Sequence, residues 1–368
     1  MEENQGGYPI AHNWRDLIDE NTTVYFDSDQ LTYINSSAAE SRTVKITNNK
    51  TEEVFKCKNR TEFFGAKKKI IEGRLGDINI LRESKGLEPF AREDFTIEDI
   101  QEAEPVEYLY YSLKQKIKAE LEYLGLTKYV CVLGGEGNPR LSLDMPFQYK
   151  SSRKDLIKPL LLNDARNYII NYHKGYIVNG METDEFLTTK GYEGYQHYLK
   201  TGKFSNIIIS IDKDGYSTPS LIFNNYRNEG KLKHKDLHLV DNSIGELFLE
   251  GKKIHGWGFK WLCWQCLMAD PTDGFYSYQK FEHIKFGERT AYSLLLPLTT
   301  QQECLQVVVD TYKSWFPEPF KFISWTGKEI ESDWLKWLET IFACAYMKRI
   351  PNDKTTIERL LKHYKVNY

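Results

Sequence analysis

The amino-acid sequence predicts an α/β protein, with a mostly parallel central sheet flanked by helices and a largely helical C-terminal region. Short apolar runs such as residues 207–211 are bounded by polar residues, which is typical of buried strands. Helical patterns separate these runs along the chain, and that alternation favours a parallel sheet. From about residue 288 onwards helical patterns predominate.

The composition is typical of a soluble globular protein, with 41% hydrophobic and 27% charged residues in a chain of 368. This length is enough for one large or two ordinary domains. The net charge of −3 does not by itself indicate a nucleic-acid partner. No apolar run approaches the roughly 18 residues of a membrane span, and the acidic N-terminus lacks a signal-peptide pattern. We therefore expect a cytoplasmic protein with no membrane partner.

In such a compartment the six cysteines are expected to be reduced thiols. Cys263 and Cys266 form a Cys-x-x-Cys pair inside an apolar, helix-like segment. No second Cys or His pair lies nearby in the sequence. Two packed core thiols therefore fit this setting better than a zinc or redox site.

The first half of the chain is predicted to contain two core strands, a hairpin and two helices. Alternating residues around an Asn-Asn-Lys turn predict the hairpin. Thr96-x-x-Asp99 is typical of a capping box at the start of a helix. The helical stripe that begins at Val106 is expected to end at Gly125. In chain order we expect a peripheral lead-in at 1–20, a strand at 24–27, a helix at 30–40, the hairpin at 43–57, a loop at 76–95, a helix from 106 and a strand at 128–133.

The second half continues this alternation and then becomes helical. The strand at 207–211 is the most apolar of its strands. In chain order we expect a helix at 156–172, strands at 176–178 and 207–211, short strands and turns at 216–256, and helices at 257–268, 288–296, 300–315, 332–347 and 354–365.

Acidic residues repeatedly follow the predicted strands. Asp212 and Asp214 come directly after the strand at 207–211, and in an extended chain they project to the same side. Any single pair could be solvated loop acids. Because the carboxyl ends of parallel strands share one edge of a sheet, we expect several clusters to converge there. The other clusters after strands are Asp27 with Asp29, and Glu182 with Asp184 and Glu185. A fourth cluster, Asp270 with Asp273, follows the helix expected at 257–268 and could reach the same edge.

Converging carboxylates favour hard divalent cations, so the predicted cofactor is Mg²⁺ or Mn²⁺. Two such ions about 3.5–4 Å apart would hydrolyse a phosphodiester, one activating water and the other stabilising the leaving oxygen. Lys150, Arg153 and Lys154 would hold DNA phosphates, while Tyr149 would stack on a base. Other basic residues indicate either a solvated face or a phosphate-binding surface, namely Lys58, Arg60, Lys67, Lys68, Lys69 and Arg74.

Five segments together resemble the phage 5′-to-3′ exonucleases of the flap endonuclease (PIN-like) superfamily. The resemblance extends from about residue 22 to about residue 296 and depends on the order and spacing of the motifs. The motifs are Phe26-Asp27-Ser28-Asp29 with Ala38-Ala39-Glu40, Tyr149-Lys150-Ser151-Ser152-Arg153-Lys154, Glu182-Thr183-Asp184-Glu185, Ile209-Ser210-Ile211-Asp212-Lys213-Asp214 and Asp270-Pro271-Thr272-Asp273-Gly274. Beyond them, Phe286-Gly287-Glu288-Arg289 resembles the glycine-started helix of the family's helix-turn-helix element, whose amides hold a phosphate.

This resemblance implies a PIN-like fold and two-metal hydrolysis of DNA from 5′ ends or at 5′ flaps, in phage DNA replication, recombination or degradation. It implies a nuclease core at 21–275 with an inserted hairpin and basic segment at 41–75, and a DNA-binding helical region at 276–368. The implied metal ligands, direct or through water, are Asp27, Glu182, Asp184, Glu185, Asp212, Asp214, Asp270 and Asp273. Catalytic roles are implied for Asp27, Asp212, Asp214 and Lys150, and DNA contacts are expected at Tyr149, Lys150, Arg153, Lys154, Gly287 and Arg289.

Two features depart from the family's pattern. The family has an acid just after the strand that ends here at Leu133, where this chain has Gly134 and Gly135. Glu136 or a water is then expected to replace it. The segment from 154 to 175 is short, so the family's threading arch would be reduced. Two other interpretations stay open: a catalytically weakened DNA-binding protein on the same fold, and a nuclease acting on RNA or an RNA–DNA hybrid.

Overall fold

This computed structural model describes residues 7–66, 73–224 and 237–368. The strands are β1 (Thr23–Asp27), β2 (Glu40–Asn48), β3 (Val54–Cys57), β4 (Phe95–Ala103), β5 (Tyr129–Gly134), β6 (Tyr176–Val178), β7 (Asn206–Ile209), β8 (Ser220–Phe223), β9 (Leu237–Val240), β10 (Glu246–Glu250), β11 (Lys253–Trp257), β12 (Phe320–Ile323) and β13 (Glu329–Ser332). The α-helices are α1 (Ser28–Ala38), α2 (Arg60–Phe64), α3 (Arg74–Ser84), α4 (Val106–Leu124), α5 (Leu162–Tyr172), α6 (Thr183–Thr201), α7 (Gly258–Met268), α8 (Glu288–Leu295), α9 (Gln301–Trp315), α10 (Trp334–Ala345) and α11 (Ile357–His363).

The central sheet has six strands in the order β6-β5-β1-β7-β8-β9. The neighbours from β6 to β8 pair in parallel, and β9 is antiparallel to β8. Helix α6 packs on this sheet through Leu187, which joins Val132, Val178 and Ile208 in one buried cluster. The predicted mostly parallel sheet with flanking helices is confirmed. The carboxyl ends of β1, β5, β6 and β7 therefore lie at one edge.

The chain forms two compact units. Unit 1 contains the residues up to Leu31, Lys116–Ile157 and Ile169–Tyr368, and unit 2 contains Thr32–Gln115 and Lys158–Tyr168. The central sheet and the C-terminal helices both belong to unit 1. The domain boundaries expected at residues 20, 41, 75 and 275 remain predictions.

The core of unit 1 is built around α7, whose residues are all buried. Most of its residues are apolar, and its two buried polar side chains are hydrogen-bonded, Lys260 to the Leu296 carbonyl and Gln265 to Asp214, so the helix belongs in the interior. Helices α8, α9 and α10 contribute to the same apolar cluster, for example through Leu295, Tyr312 and Trp337. Cys263 and Cys266 are buried in this cluster, as predicted, and burial raises the pKa of both thiols.

Unit 2 contains an antiparallel sheet in the order β3-β2-β4. The predicted hairpin is confirmed as β2 and β3. The predicted loop at 76–95 is wrong, because α3 occupies much of it and packs through Leu75 and Ile78. The helix start at Thr96 is also wrong: Phe95 and Ile97 alternate with exposed residues in β4, and that two-residue period decides the structure. The basic residues Lys67, Lys68 and Lys69 lie outside the described residues.

The predicted C-terminal helices are confirmed as α8 to α11. The sequence analysis missed the hairpin of β12 and β13, which lies between α9 and α10. Among the described residues, none of the helices has the length and apolar character needed to cross a membrane.

Candidate active site

Four half-buried aspartates converge at the carboxyl edge of the central sheet. Asp27 is the last residue of β1, and Asp212 and Asp214 follow β7. Asp184 lies in the first turn of α6, shortly after β6. Because these strands are parallel, their ends bring three distant chain segments together. We call these four residues the inner acids.

Burial, and to a smaller extent neighbouring carboxyls, raise the pKa values of the inner acids. Burial raises the pKa of Asp27 to about 7, with further contributions from Asp29 and Asp212. Burial also raises the pKa of Asp184 to about 8, and the nearby charges of Glu182 and Asp212 add to this effect. Carboxyls that share a site cannot all ionise without a compensating positive charge.

Asp212 and Asp214 are held in place by a series of hydrogen bonds. The Asp212 amide donates to Ser210 Oγ at 3.1 Å, and the Asp214 amide donates to Asp212 Oδ1 at 2.9 Å. Ser210 Oγ also donates to Asp27 Oδ2 at 3.2 Å, which links β7 to β1. Gln265 of α7 donates to Asp214 Oδ1 at 2.7 Å. Burial raises the pKa of both aspartates, Asp273 adding to the effect at Asp212 and Asp212 to the effect at Asp214.

A second set of acids is held by cationic side chains of the same unit. We call Glu182, Glu185, Asp270 and Asp273 the outer acids. Glu182 is at the N-cap of α6 and forms ion pairs with Arg140 and Lys150. Burial opposes its ionisation, but Lys150 and Arg140 outweigh burial and hold the pKa of Glu182 below its usual range.

The other outer acids have similar partners. Asp273 pairs with Arg153, and Lys150 Nζ lies 3.6 Å from Asp273 Oδ2. Asp270 pairs with Lys213 at 2.6 Å, and Lys213 thereby outweighs burial and lowers the pKa of Asp270. The fourth outer acid is Glu185, whose Oε1 lies 3.4 Å from Lys348 Nζ and 3.8 Å from Arg140 Nη2.

Tyr149 is placed among the outer acids rather than on the surface. It is only 3% exposed, and its ring packs against Phe275 with centroids 6.1 Å apart. Its hydroxyl lies 3.1 Å from both Glu182 Oε2 and Asp273 Oδ2. One hydroxyl proton can be donated to only one of them at a time. In this conformation Tyr149 therefore holds site acids and does not offer a ring face to a base.

The other residues expected to contact DNA lie at different places in unit 1. Lys150 has a left-handed backbone, with φ of 56°, and its amide donates to the Asp273 carbonyl at 2.6 Å. Lys154 is exposed and donates to Gln148 Oε1 at 2.8 Å. Gly287 is the N-cap of α8, as expected, and Arg289 is exposed in its first turn.

Arg140 is a site residue that the sequence analysis missed. Its side chain is only 7% exposed and pairs with Glu182. Its Nε donates to the Ala343 carbonyl at 3.2 Å, and its Nη2 donates to the Tyr346 carbonyl at 3.1 Å. Arg140 therefore ties the start of α6 to the end of α10. Nothing in the Pro139-Arg140-Leu141 sequence indicates that this arginine is buried beside the site acids.

Gly134, the last residue of β5, and Gly135 leave no room for the acid expected there. A Cβ on Gly135 would clash with Asn179 Oδ1 and lie 2.8 Å from the Val178 carbonyl oxygen. Glu136 is exposed, and its amide donates to Asn179 Oδ1 at 3.0 Å. Asp29 accepts hydrogen bonds from the Gly134 amide at 2.7 Å and from Thr183 Oγ1 at 2.6 Å, so it joins β5 to α6.

The donor chemistry of the inner acids fits a hard divalent cation. Carboxylate oxygens are the ligands that Mg²⁺ and Mn²⁺ prefer, and a cation would offset both the burial and the mutual repulsion that raise these pKa values. In the part of the chain that the structure describes, no three acid, imidazole or thiol side chains already lie in ligating geometry. The inner acids thus supply suitable donors, while the outer acids are engaged by lysine and arginine.

Comparison with known proteins gives little further information. No protein-family model matches the chain, and no curated protein matches its sequence. Among solved structures, a mutant T5 5′-exonuclease is similar over 64% of this chain and 76% of its own, at 12% identity and a TM-score of 0.33.

Proposed function

We propose that this chain is a divalent-metal-dependent nuclease that hydrolyses phosphodiester bonds of DNA from 5′ ends or at 5′ flaps. The observation that carries this proposal is the convergence of the four inner acids, whose pKa values are raised by burial and by one another. The preference for DNA 5′ ends, the PIN-like fold and a role in phage DNA metabolism come from the resemblance of the motifs to phage 5′-to-3′ exonucleases.

The inner acids would hold the metal, and the basic residues around them would hold the substrate. Two bound Mg²⁺ or Mn²⁺ ions would supply an activated water and stabilise the leaving oxygen. Lys150 and Arg153 would orient the scissile phosphate. The Arg153 side chain is 51% exposed although it pairs with Asp273, so a phosphate can compete for its guanidinium.

The proposal is tested with a 5′-tailed duplex, labelled at its 5′ end, and Mg²⁺. Asp212→Asn keeps an oxygen that can accept from the Asp214 amide but removes the charge. We expect the rate of cleavage to fall by about a hundredfold or more, because the charge that would hold the metal is lost. Glu318→Gln, the same charge change at an exposed position, is the matched control and should cleave like wild type. Wild-type cleavage by Asp212→Asn would refute the assignment of the site.

A second candidate function is a DNA-binding protein with weakened catalysis on the same framework. The specific observation in its favour is Gly135, where the surrounding atoms leave no space for an acidic side chain. The same assay separates the two: binding of the duplex with Mg²⁺ present and without product release supports this candidate. Parallel reactions with RNA and RNA–DNA duplexes of the same sequence establish whether the protein cleaves DNA, RNA or the hybrid.

A further inference from the structure

A groove of about 720 Å³ runs beside the edge strand β6 and along α6. Residues 349–351 contribute to its lining. Met181 lines it and directly precedes Glu182, and Asn179, three residues before Glu182, also lines it, so the groove begins next to the acidic site. Its volume is within the roughly 300–1,000 Å³ of pockets that bind ligands of drug or nucleotide size.

Aromatic side chains provide flat surfaces in this groove. Tyr176 of β6 is 51% exposed, and its ring centroid lies 5.2 Å from that of Phe186 on α6. Tyr192 also lines the groove, with the Arg349 guanidinium 5.7 Å from its ring centroid. Tyr192 is half-buried. Aromatic rings that line a groove next to cations are surfaces on which nucleic-acid bases stack.

The charges in the groove are mainly positive. Lys190, Lys200 and Arg349 line it, whereas Glu193 is the acidic residue in the same lining and pairs with Lys190 at 2.8 Å. In the part of the chain that the structure describes, Arg349 Nε is buried and has no hydrogen-bond partner. The Arg349 side chain as a whole is half-buried and lines the groove, where its positive charge can attract a phosphate.

We infer that this groove binds single-stranded nucleic acid, as the path of the strand that leads to or from the acidic site. The phosphates lie against Lys200 and Arg349, and the bases stack on Tyr176 and Tyr192. An acidic peptide would match the charges but would leave the aromatic surfaces without bases. The inference rests on the proposed nuclease function, because it assigns the groove to that enzyme's substrate or product strand.

The test measures binding of a fluorescein-labelled ten-residue oligothymidylate by fluorescence anisotropy, with EDTA present so that nothing is cleaved. Tyr176→Ala should weaken binding about tenfold, because stacking of one base is lost. The double variant Lys200→Ala with Arg349→Ala should reduce the slope of log affinity against log salt by about 1.4, as expected for two lost single-strand phosphate contacts. Tyr368→Ala and Lys321→Ala change an exposed tyrosine and an exposed lysine elsewhere in unit 1 and should bind like wild type.

Unchanged affinity and unchanged salt slope in the groove variants would overturn the inference, as would equal competition by polyglutamate of the same charge. If the variant with Arg349→Ala unfolds, the double variant Lys190→Ala with Lys200→Ala is measured in its place. The same reduction of the salt slope is expected for it. Cleavage of the 5′-tailed duplex by wild type is measured separately. If wild type cleaves the duplex and the groove variants bind the oligonucleotide normally, the role of the groove is refuted but the nuclease function is not. If the groove variants lose binding and wild type does not cleave, the proposed nuclease function is refuted and the groove remains a binding site.

Discussion

Arg140 shows how a single residue can connect distant parts of unit 1. Its guanidinium pairs with Glu182 at the start of α6 and donates to two carbonyls at the end of α10. These partners are more than 40 residues away in the sequence, so nothing local to Arg140 indicates them. The inner acids could be predicted because they lie at or shortly after the ends of apolar strands. Their cationic partner could not, since its position depends on the folded chain.

Arg140→Ala should strongly destabilise the protein. The substitution leaves Glu182 without one of its partners and two carbonyls without a donor, and the loss of one partner from a buried pair costs about 3–5 kcal/mol. Arg140→Lys should recover part of this, because lysine keeps the charge but not the fork of donors. Denaturant unfolding measures both.

The matched control for Arg140 is Lys321→Ala. Lys321 pairs with Glu329 at 2.8 Å, and its side chain is 59% exposed. Such a surface pair contributes about 1 kcal/mol or less. Equal losses of unfolding free energy in Arg140→Ala and Lys321→Ala would show that Arg140 does not hold the start of α6.

Gly135 and Gly76 should respond in opposite ways to the same substitution. Gly135→Ala places a Cβ against Asn179 and the Val178 carbonyl, and such overpacking costs about 1–3 kcal/mol. Gly76 lies inside α3 with nothing within 4 Å of an added Cβ, so Gly76→Ala should increase stability by about 0.5–1 kcal/mol. Unfolding in urea measures both changes. A Gly135→Ala variant as stable as wild type would contradict the packing after β5.

At the scale of elements, the carboxyl edge of the sheet makes stability depend on pH. The pKa of Asp27 is raised to about 7 and that of Asp184 to about 8. Between about pH 4 and pH 8 the folded chain therefore holds protons that the unfolded chain has released, so the free energy of unfolding falls as the pH rises. The lowered pKa values of Glu182 and Asp270 act below this window, where stability falls as the pH falls.

We therefore expect metal-free protein to melt at a lower temperature at about pH 8 than at about pH 6. Mg²⁺ should raise the melting temperature more at the higher pH, because it competes with protons for the same carboxylates. Asp184→Asn should reduce both effects, and Glu318→Gln should not. A melting temperature that rises with pH in the absence of metal would contradict the described crowding of the inner acids.

The elements that sequence reasoning identified share strong local signals. Strands β1, β5 and β7 are continuous apolar runs, and α4 has an apolar stripe that ends at Gly125. Strand β4 was missed because its Thr-x-x-Asp segment also fits a helix cap, and only pairing with β2 decides between the two structures. Helix α3 was missed because none of its residues is fully buried, so its periodicity is weak.

At the scale of the whole molecule, each of the two units contains an apolar core. The core of unit 2 contains Phe63, which is fully buried and lies 4.8 Å from Phe55 and 5.1 Å from Phe95 between ring centroids. The core of unit 1 surrounds α7. All eight tryptophans belong to unit 1, so tryptophan fluorescence reports the unfolding of that unit alone.

Phe63→Ala should therefore destabilise unit 2 by about 3–5 kcal/mol, because it leaves a cavity in that core. Circular dichroism should show part of the signal lost at lower denaturant concentration, while the fluorescence transition stays in place. Leu338→Ala, which opens a cavity in the core of unit 1, is the matched control and should shift the fluorescence transition. An equal shift of both signals in Phe63→Ala would show that the two units unfold as one.

The central claim is that the inner acids bind divalent metal, and calorimetric titration with Mn²⁺ tests it most directly. Wild type and Glu318→Gln should show saturable binding of up to two ions, and Asp212→Asn should lose at least one of them. Mn²⁺ binding that is absent in wild type, or that is identical in wild type and Asp212→Asn, would contradict the account.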